Sequence, residues 1–246
     1  MEERKRGISG SSLKLIAVAT MLIDHIAAAV LARFLIIGGG EVSAGWYQLY
    51  QAMRSVGRIA FPIYCFLLVE GFVHTGSRKK YALRLFLFAL ASELPFDLAF
   101  SGTALEFGYQ NVFFTLFLGL VTIMLLWEVE KEQEWRTGLR IFLFAVIILA
   151  GMAAAYALKT DYSYYGVMCI VVLYLFRGRR LPQVLAGAAS FFWWESPAVL
   201  AFIPIYFYNG KRGWNLKYFF YLFYPVHLLV LYFICVALGT AAVPVV

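Results

Sequence analysis

Charge is what this sequence has least of. Only 14% of its 246 residues are Asp, Glu, Lys or Arg, and 63% are apolar, where a soluble domain carries about 25% charged residues. A globule of this size cannot bury so much apolar surface and still cover itself with polar groups, so a soluble globular fold is excluded. Cysteine is scarce too. Cys65, Cys169 and Cys235 stand in apolar stretches with neither paired nor metal-ligand spacing, and they read as small buried hydrophobes. There is no Walker motif, no dinucleotide-binding glycine pattern and no zinc-ligand spacing. No metal and no nucleic-acid partner is therefore expected. A cleavable signal peptide is not evident either. The start, "MEERKRGISGSSLK", is basic, but the apolar run behind it is long enough to span and lacks a small-residue cleavage site.

Aromatic and long apolar runs are what is abundant. The chain holds 23 Phe, 16 Tyr and 6 Trp, as suits a protein with two membrane–water interfaces. A crossing helix needs roughly 20 apolar residues, because in lipid its own backbone must satisfy every hydrogen bond. Candidates run over 13–37, 56–74, 81–101, 111–128, 138–158, 162–176 and 217–239, with a short pair at 181–194 and 197–209. The short pair reads as one long helix, a tight hairpin or a re-entrant element.

Basic residues decide among these. With nine crossings and a cytoplasmic N-terminus, the inner segments carry Arg4, Lys5, Arg6 and Lys14; Arg78, Lys79, Lys80 and Arg84; Lys131, Arg136 and Arg140; Arg177, Arg179 and Arg180; and Lys211, Arg212 and Lys217. Of the 21 basic residues only Arg33, Arg54, Arg58 and Lys159 fall elsewhere, which is the bias that sets topology. A single helix over 181–209 would put "RGRR" and "YNGKRG" on opposite sides, so a hairpin turning at "WWESP" is preferred, with Trp193 and Trp194 at the outer interface. The C-terminus then lies outside. No repeat and no inserted soluble domain is visible. The expectation is one all-α, polytopic membrane domain over 1–246, in the cytoplasmic (inner) membrane, with its longest loops at 38–55 and 129–137.

Ionisable groups inside a bilayer cost about 2.5–3.5 kcal/mol each on insertion scales and usually face a bundle interior or wet cavity. Asp24 and His25 sit eleven or twelve residues into the first span, roughly 17 Å deep at 1.5 Å per residue. His227, in "FYPVHLL", lies at similar depth in the last span. Glu70, Glu93, Asp97, Arg54, Arg58, Gln110 and Asn111 are the other polar residues expected to line a cavity. Each also has a structural reading. Arg54 and Arg58, four apart at a helix start, can snorkel to the interface. Glu70 can pair with Arg84, Asn111 can cap a helix, and His74 sits at a helix end near water. Asp24 at that depth must find a cation or a proton, and Arg58 is the nearest candidate. Ala27, Ala28, Ala29 and Ala32 allow either a close helix approach or a gap beside the Asp–His pair. "NGKRG" allows a tight turn that could present backbone N–H groups to a phosphate.

Six segments taken in order, "LIAVATMLIDHI", "GRIAFPIYCFLLVEGFVHTGSRKKYALRL", "SELPFDLAF", "QNVFFTLFLGL", "YNGKRG" and "FYLFYPVHLL", resemble the TraX family of membrane proteins from about residue 13 to residue 230. The resemblance implies a link to conjugation and to N-terminal acetylation of pilin in the inner membrane. It also implies a distant relation to transmembrane acyltransferases, among them sugar O-acetyltransferases, which use cytoplasmic acetyl-CoA. The acceptor would be a pilin or a glycan, and the partners membrane lipids and acetyl-CoA.

Acetyl transfer needs a base for the acceptor's proton and donors for the developing oxyanion. His25 is the first candidate base and His227 its rival. Neighbouring helical residues point about 100° apart, so Asp24 is expected to pair with Arg58 while His25 faces the cavity. Lys79, Lys80, Arg84, Asn209, Lys211 and Arg212 are the candidates for holding the CoA phosphates. The competing readings are a proton-coupled transporter or flippase, in which the same residues relay protons, and an envelope-assembly scaffold. The absence of an inverted repeat speaks against the transporter.

Overall fold

The computed structural model describes residues 7–39, 43–132, 134–215 and 217–245. Arg4, Lys5 and Arg6, counted above among the inner cations, lie outside the described residues, as does the side chain of Lys217. The architecture is helical. Helix α1 (Gly10–His25) runs through a π-helical segment (Ile26–Leu31) into α2 (Ala32–Gly38). Then follow α3 (Ala44–Gly57), α4 (Ala60–His74), α5 (Arg78–Phe100), α6 (Val112–Lys131), α7 (Thr137–Ala157) and α8 (Ser163–Leu175). Helix α9 (Arg180–Phe192) is followed by a 3₁₀ segment (Ser196–Ala201), α10 (Phe202–Tyr206) and α11 (Lys217–Ala237). Among the described residues, β-pairing is confined to two isolated bridges, Ile8 with Tyr208 and Gln110 with Thr160.

Among the described residues, five stretches are long and apolar enough to cross a membrane: Gly10–Gly38, Ala44–His74, Val112–Lys131, Thr137–Ala157 and Phe219–Ala237. Ser163–Leu175 and Ser196–Tyr206 are apolar but shorter. Helix α5 has the length, but it carries Arg78, Lys79, Lys80, Arg84, Glu93 and Asp97 along it. The expected loop over 38–55 is a correction: residues 44–57 are helical. That segment mixes Trp, Tyr, Gln and Arg with apolar residues and so carries no long apolar run. It reads as a loop by hydropathy, yet it packs along α1 as an amphipathic helix.

The chain forms two compact units, Met1–Tyr64 with Ala91–Glu106 and Phe191–Val246, and Cys65–Leu90 with Phe107–Ser190. In the second, α6, α7 and α8 pack on one another. Helix α6 buries Thr115, Gly119, Thr122, Leu126 and Val129 along one stripe, at the three-and-four spacing of a packed helix face. Small residues set the approach: a Cβ on Gly119 would run into Ile170 of α8, and one on Gly151 of α7 into Thr122. Asn111 caps α6, accepting from the Phe113 N–H (3.0 Å) and donating to the Ala89 carbonyl (2.9 Å). In the first unit, α1 packs on α3 and α11, and the π-helical segment packs on both as well.

Candidate functional site

The site is built on α1 where regular winding stops. The π-helical segment follows His25 directly. Such segments insert a residue into the helix, leave a carbonyl short of its usual partner and cluster at functional sites. Here the Ala29 carbonyl is served by side chains: Arg33 Nη1 donates to it (2.7 Å), as does Cys235 Sγ of α11 (3.7 Å). Arg33 is fully buried, and its Nη1 also donates to the Ala99 carbonyl near the end of α5 (2.7 Å). A cation at a helix C-terminus faces the negative end of the helix dipole.

Asp24 and His25 point to different helices, as adjacent positions must. Asp24 turns to α3, where Arg54 Nη1 donates to its Oδ2 at 2.5 Å. This corrects the expected pairing with Arg58, which lies just past the end of α3 and forms an ion pair with Glu195 (3.4 Å). Arg54 likewise sits in the last turn of α3 rather than at a helix start. The cause lies at Gly57, where α3 and α1 meet so closely that a Cβ would overlap the Asp24 carboxylate. That contact sets Arg54, one turn earlier, beside Asp24.

His25 turns to α11. Its Nδ1 lies 2.7 Å from Nε2 of His227, and the two rings are 8° from parallel. Nδ1 of His227 lies 2.7 Å from the Phe223 carbonyl oxygen. A carbonyl can only accept, so His227 Nδ1 carries the hydrogen, and its Nε2 is then the acceptor while the ring is neutral. His25 Nδ1–H therefore donates to His227, which leaves the lone pair of His25 on Nε2. Phe100 and Tyr224 stand edge-on to the His25 ring, at 5.5 and 6.0 Å, and Phe223 stacks on His227. Pro225 stands inside α11 two residues before His227, and a proline loosens the turn it sits in.

A polar recess of about 210 Å³ in the same unit is lined by Tyr50, Gln51, Arg54, Ser55, Arg58 and Glu195, and Arg54 is the residue that pairs with Asp24. Both arginines are within electrostatic reach of His25. Glu195 is held between two short helical pieces by an aromatic cluster in which Phe191 packs on Phe61, Trp194 and Phe202. Among the described residues no group of three His, Cys, Asp or Glu side chains could hold a metal ion.

The remaining sequence candidates have other partners. Asp97 is buried, and its Oδ2 accepts the Glu106 N–H (2.9 Å), closing the loop after α5. Glu93 is half-buried on α5. Glu70 pairs with Arg180 (3.9 Å), not Arg84, which is exposed. Gln110 uses its backbone to hold the 159–161 loop, while Asn111 is the cap of α6. Glu70, Gln110, Asn111, Lys79, Lys80 and Arg84 belong to the second unit, the dyad to the first.

The "NGKRG" loop also departs from expectation. Its Lys211 and Arg212 carbonyls accept the Gly10 and Ser11 N–H groups at the start of α1, and Asn209 Oδ1 takes the Lys211 N–H. Gly213 has φ +74°, and a Cβ there would strike the Ser9 and Ser11 hydroxyls. The loop thus turns its backbone toward α1, and Lys211 and Arg212 are exposed.

Sequence reasoning missed Glu195, Arg33 and Tyr224. Glu195 was signalled, as the one acid in "WWESP". The TraX family model matches residues 9–235, nearly the whole chain. The chain belongs to the TraX family. This TraX protein is 31% identical over 258 residues to "Probable fimbrial assembly protein FimC, serogroup H1" from Dichelobacter nodosus, an alignment covering 93% of this chain and 96% of that protein. No solved structure matches it. Its dyad and recess lie within the matched residues.

Proposed function

We propose that this TraX protein is a membrane-embedded acetyltransferase that uses cytoplasmic acetyl-CoA to acetylate an amine or hydroxyl, on a pilin N-terminus or an envelope glycan, at or across the inner membrane. The observation that carries this reading is the directed chain from the Phe223 carbonyl through His227 to His25, which puts a lone pair on His25 Nε2. Bound acetyl-CoA would supply the acetyl group as a thioester. His25 Nε2 takes the proton from the attacking amine or hydroxyl. His227 holds the His25 ring in the tautomer that can accept and shares the charge it gains. The same Nε2 then returns the proton to the leaving sulfur.

Arg54 and Arg58 border the recess and supply donors for negative charge developing on the carbonyl oxygen. Asp24 and Glu195 keep the two guanidinium groups in place. Lys211 and Arg212 of the first unit, exposed on the "NGKRG" loop, meet the CoA phosphates from the cytoplasmic side. The chain crosses nine times, N-terminus inside and C-terminus outside. A pilin acceptor fits the fimbrial name of the relative.

The test is acetyl transfer from labelled acetyl-CoA by purified protein in liposomes. His25→Ala lowers the rate by about 10²–10⁴-fold, the usual contribution of a general base, with membrane insertion unchanged. Full transfer by both His25→Ala and His227→Ala removes the base assignment. The paired imidazoles are also what a proton relay needs, so solute-dependent proton movement without acetyl-CoA would favour a transporter.

A further inference from the structure

The second unit carries a cluster that the proposed chemistry does not use. Trp127, one turn before the end of α6, is ringed by cations. The Arg78 guanidinium carbon lies 4.3 Å from its ring centroid and 4.8 Å from that of Phe72. Lys131 and Arg177 stand at 5.8 and 5.9 Å. Most of the charge is matched. Arg177 pairs with Glu130 at 2.6 Å, Tyr174 donates to the same carboxylate at 2.8 Å, and Lys131 pairs with Glu128 at 2.8 Å. Arg78 is the exception, with no carboxylate at ion-pair distance among the described residues.

Arg78 Nε and Trp127 Nε1 are both shielded from solvent and have no acceptor among the described residues. Two buried N–H groups on one guanidinium–indole contact call for an acceptor, since buried donors are almost always satisfied. Stacking on the rings occupies the face of the guanidinium and leaves its in-plane edge for an anion. A phosphate has enough oxygens to accept from both donors at once.

The cluster sits at helix ends, where α5 starts, α6 ends and α8 has just finished. Exposed Val73, Leu125, Leu175 and Phe176 flank it in sequence. Basic groups between helix ends at a bilayer surface suit acidic headgroups. We infer that Arg78 and Trp127 form a phosphate-binding site on the second unit, filled by the headgroup of an acidic phospholipid or by a soluble phosphate ester.

The full chain, purified in neutral detergent, is titrated with phosphatidylglycerol, with phosphatidylcholine, or with pyrophosphate, and its thermal midpoint is followed. Phosphatidylglycerol raises the midpoint and phosphatidylcholine does not. Arg78→Gln raises the half-saturating lipid about tenfold or more, as loss of a charge-assisted contact should. Trp127→Phe, which keeps a ring but loses the N–H, raises it about fivefold. Exposed Arg136→Gln, on the same unit, changes it less than about twofold, as a screened surface charge should. A shift produced by pyrophosphate and lost in Arg78→Gln assigns the site to a soluble ester. Equal losses in Arg78→Gln and Arg136→Gln, or no shift with phosphatidylglycerol or pyrophosphate, overturn the site. Should Arg78→Gln fail to fold, the Trp127→Phe titration decides alone.

Discussion

At residue 57 a hydrogen atom stands where a methyl group would collide with a carboxylate, and this fixes which arginine answers Asp24. Gly57→Ala is expected to cost about 1–3 kcal/mol of stability, the usual penalty of overpacking. It should also lower acetyl transfer more than about tenfold, by forcing Arg54 off Asp24, since small misplacements at a reacting site carry large rate costs. Thermal unfolding in detergent and the transfer rate check the two parts separately. A normal rate in a destabilised variant would mean that the pair only holds helices together.

The need for a cation near Asp24 was legible, because a carboxylate at that depth cannot stand alone. Its identity was not, because Arg54 and Arg58 are alike by type and the choice rests on a tertiary contact. The histidine dyad joins positions 202 residues apart. The place of each imidazole within an apolar helix could be read from the sequence; their hydrogen bond and the tautomer it sets could not.

Elements with uniform apolar runs read clearly: a span expected over 138–158 is Thr137–Ala157, and one expected over 111–128 is Val112–Lys131. The break at "WWESP" was also legible, since Pro197 and the charged Glu195 interrupt the apolar run where α9 ends and the 3₁₀ segment begins. The π-helical segment was not. Its residues, "IAAAVL", favour ordinary helix, and the bonds that sustain it come from Arg33 and Cys235. Arg33→Met strands the Ala99 carbonyl and leaves the Ala29 carbonyl only the weak Cys235 thiol donor, and a buried polar group left unpaired costs about 1–3 kcal/mol. The expected outcome is a stability loss of that order, with Arg33→Lys recovering part of it, read by chemical denaturation. A fully stable Arg33→Met would show that the segment keeps its winding without the guanidinium.

For the molecule as a whole, composition alone pointed to the membrane class, and the alternation of basic segments is the basis of the proposed order of crossings. Helix α5 shows how a count by apolarity can pass over a long helix: half-buried Glu93 and buried Asp97, on either side of Pro95, lower its hydropathy without shortening it. Reporter fusions test the proposed order. A reporter active only outside the cytoplasm should work when fused after residue 245 and fail when fused after residue 134. Activity at both sites would break the proposed topology.

The dyad draws one imidazole from the first helix and the other from the last. A chain cut before α11 keeps His25 but loses the ring that sets its tautomer. Under the proposed function, such a truncated product would carry a base with nothing to orient it.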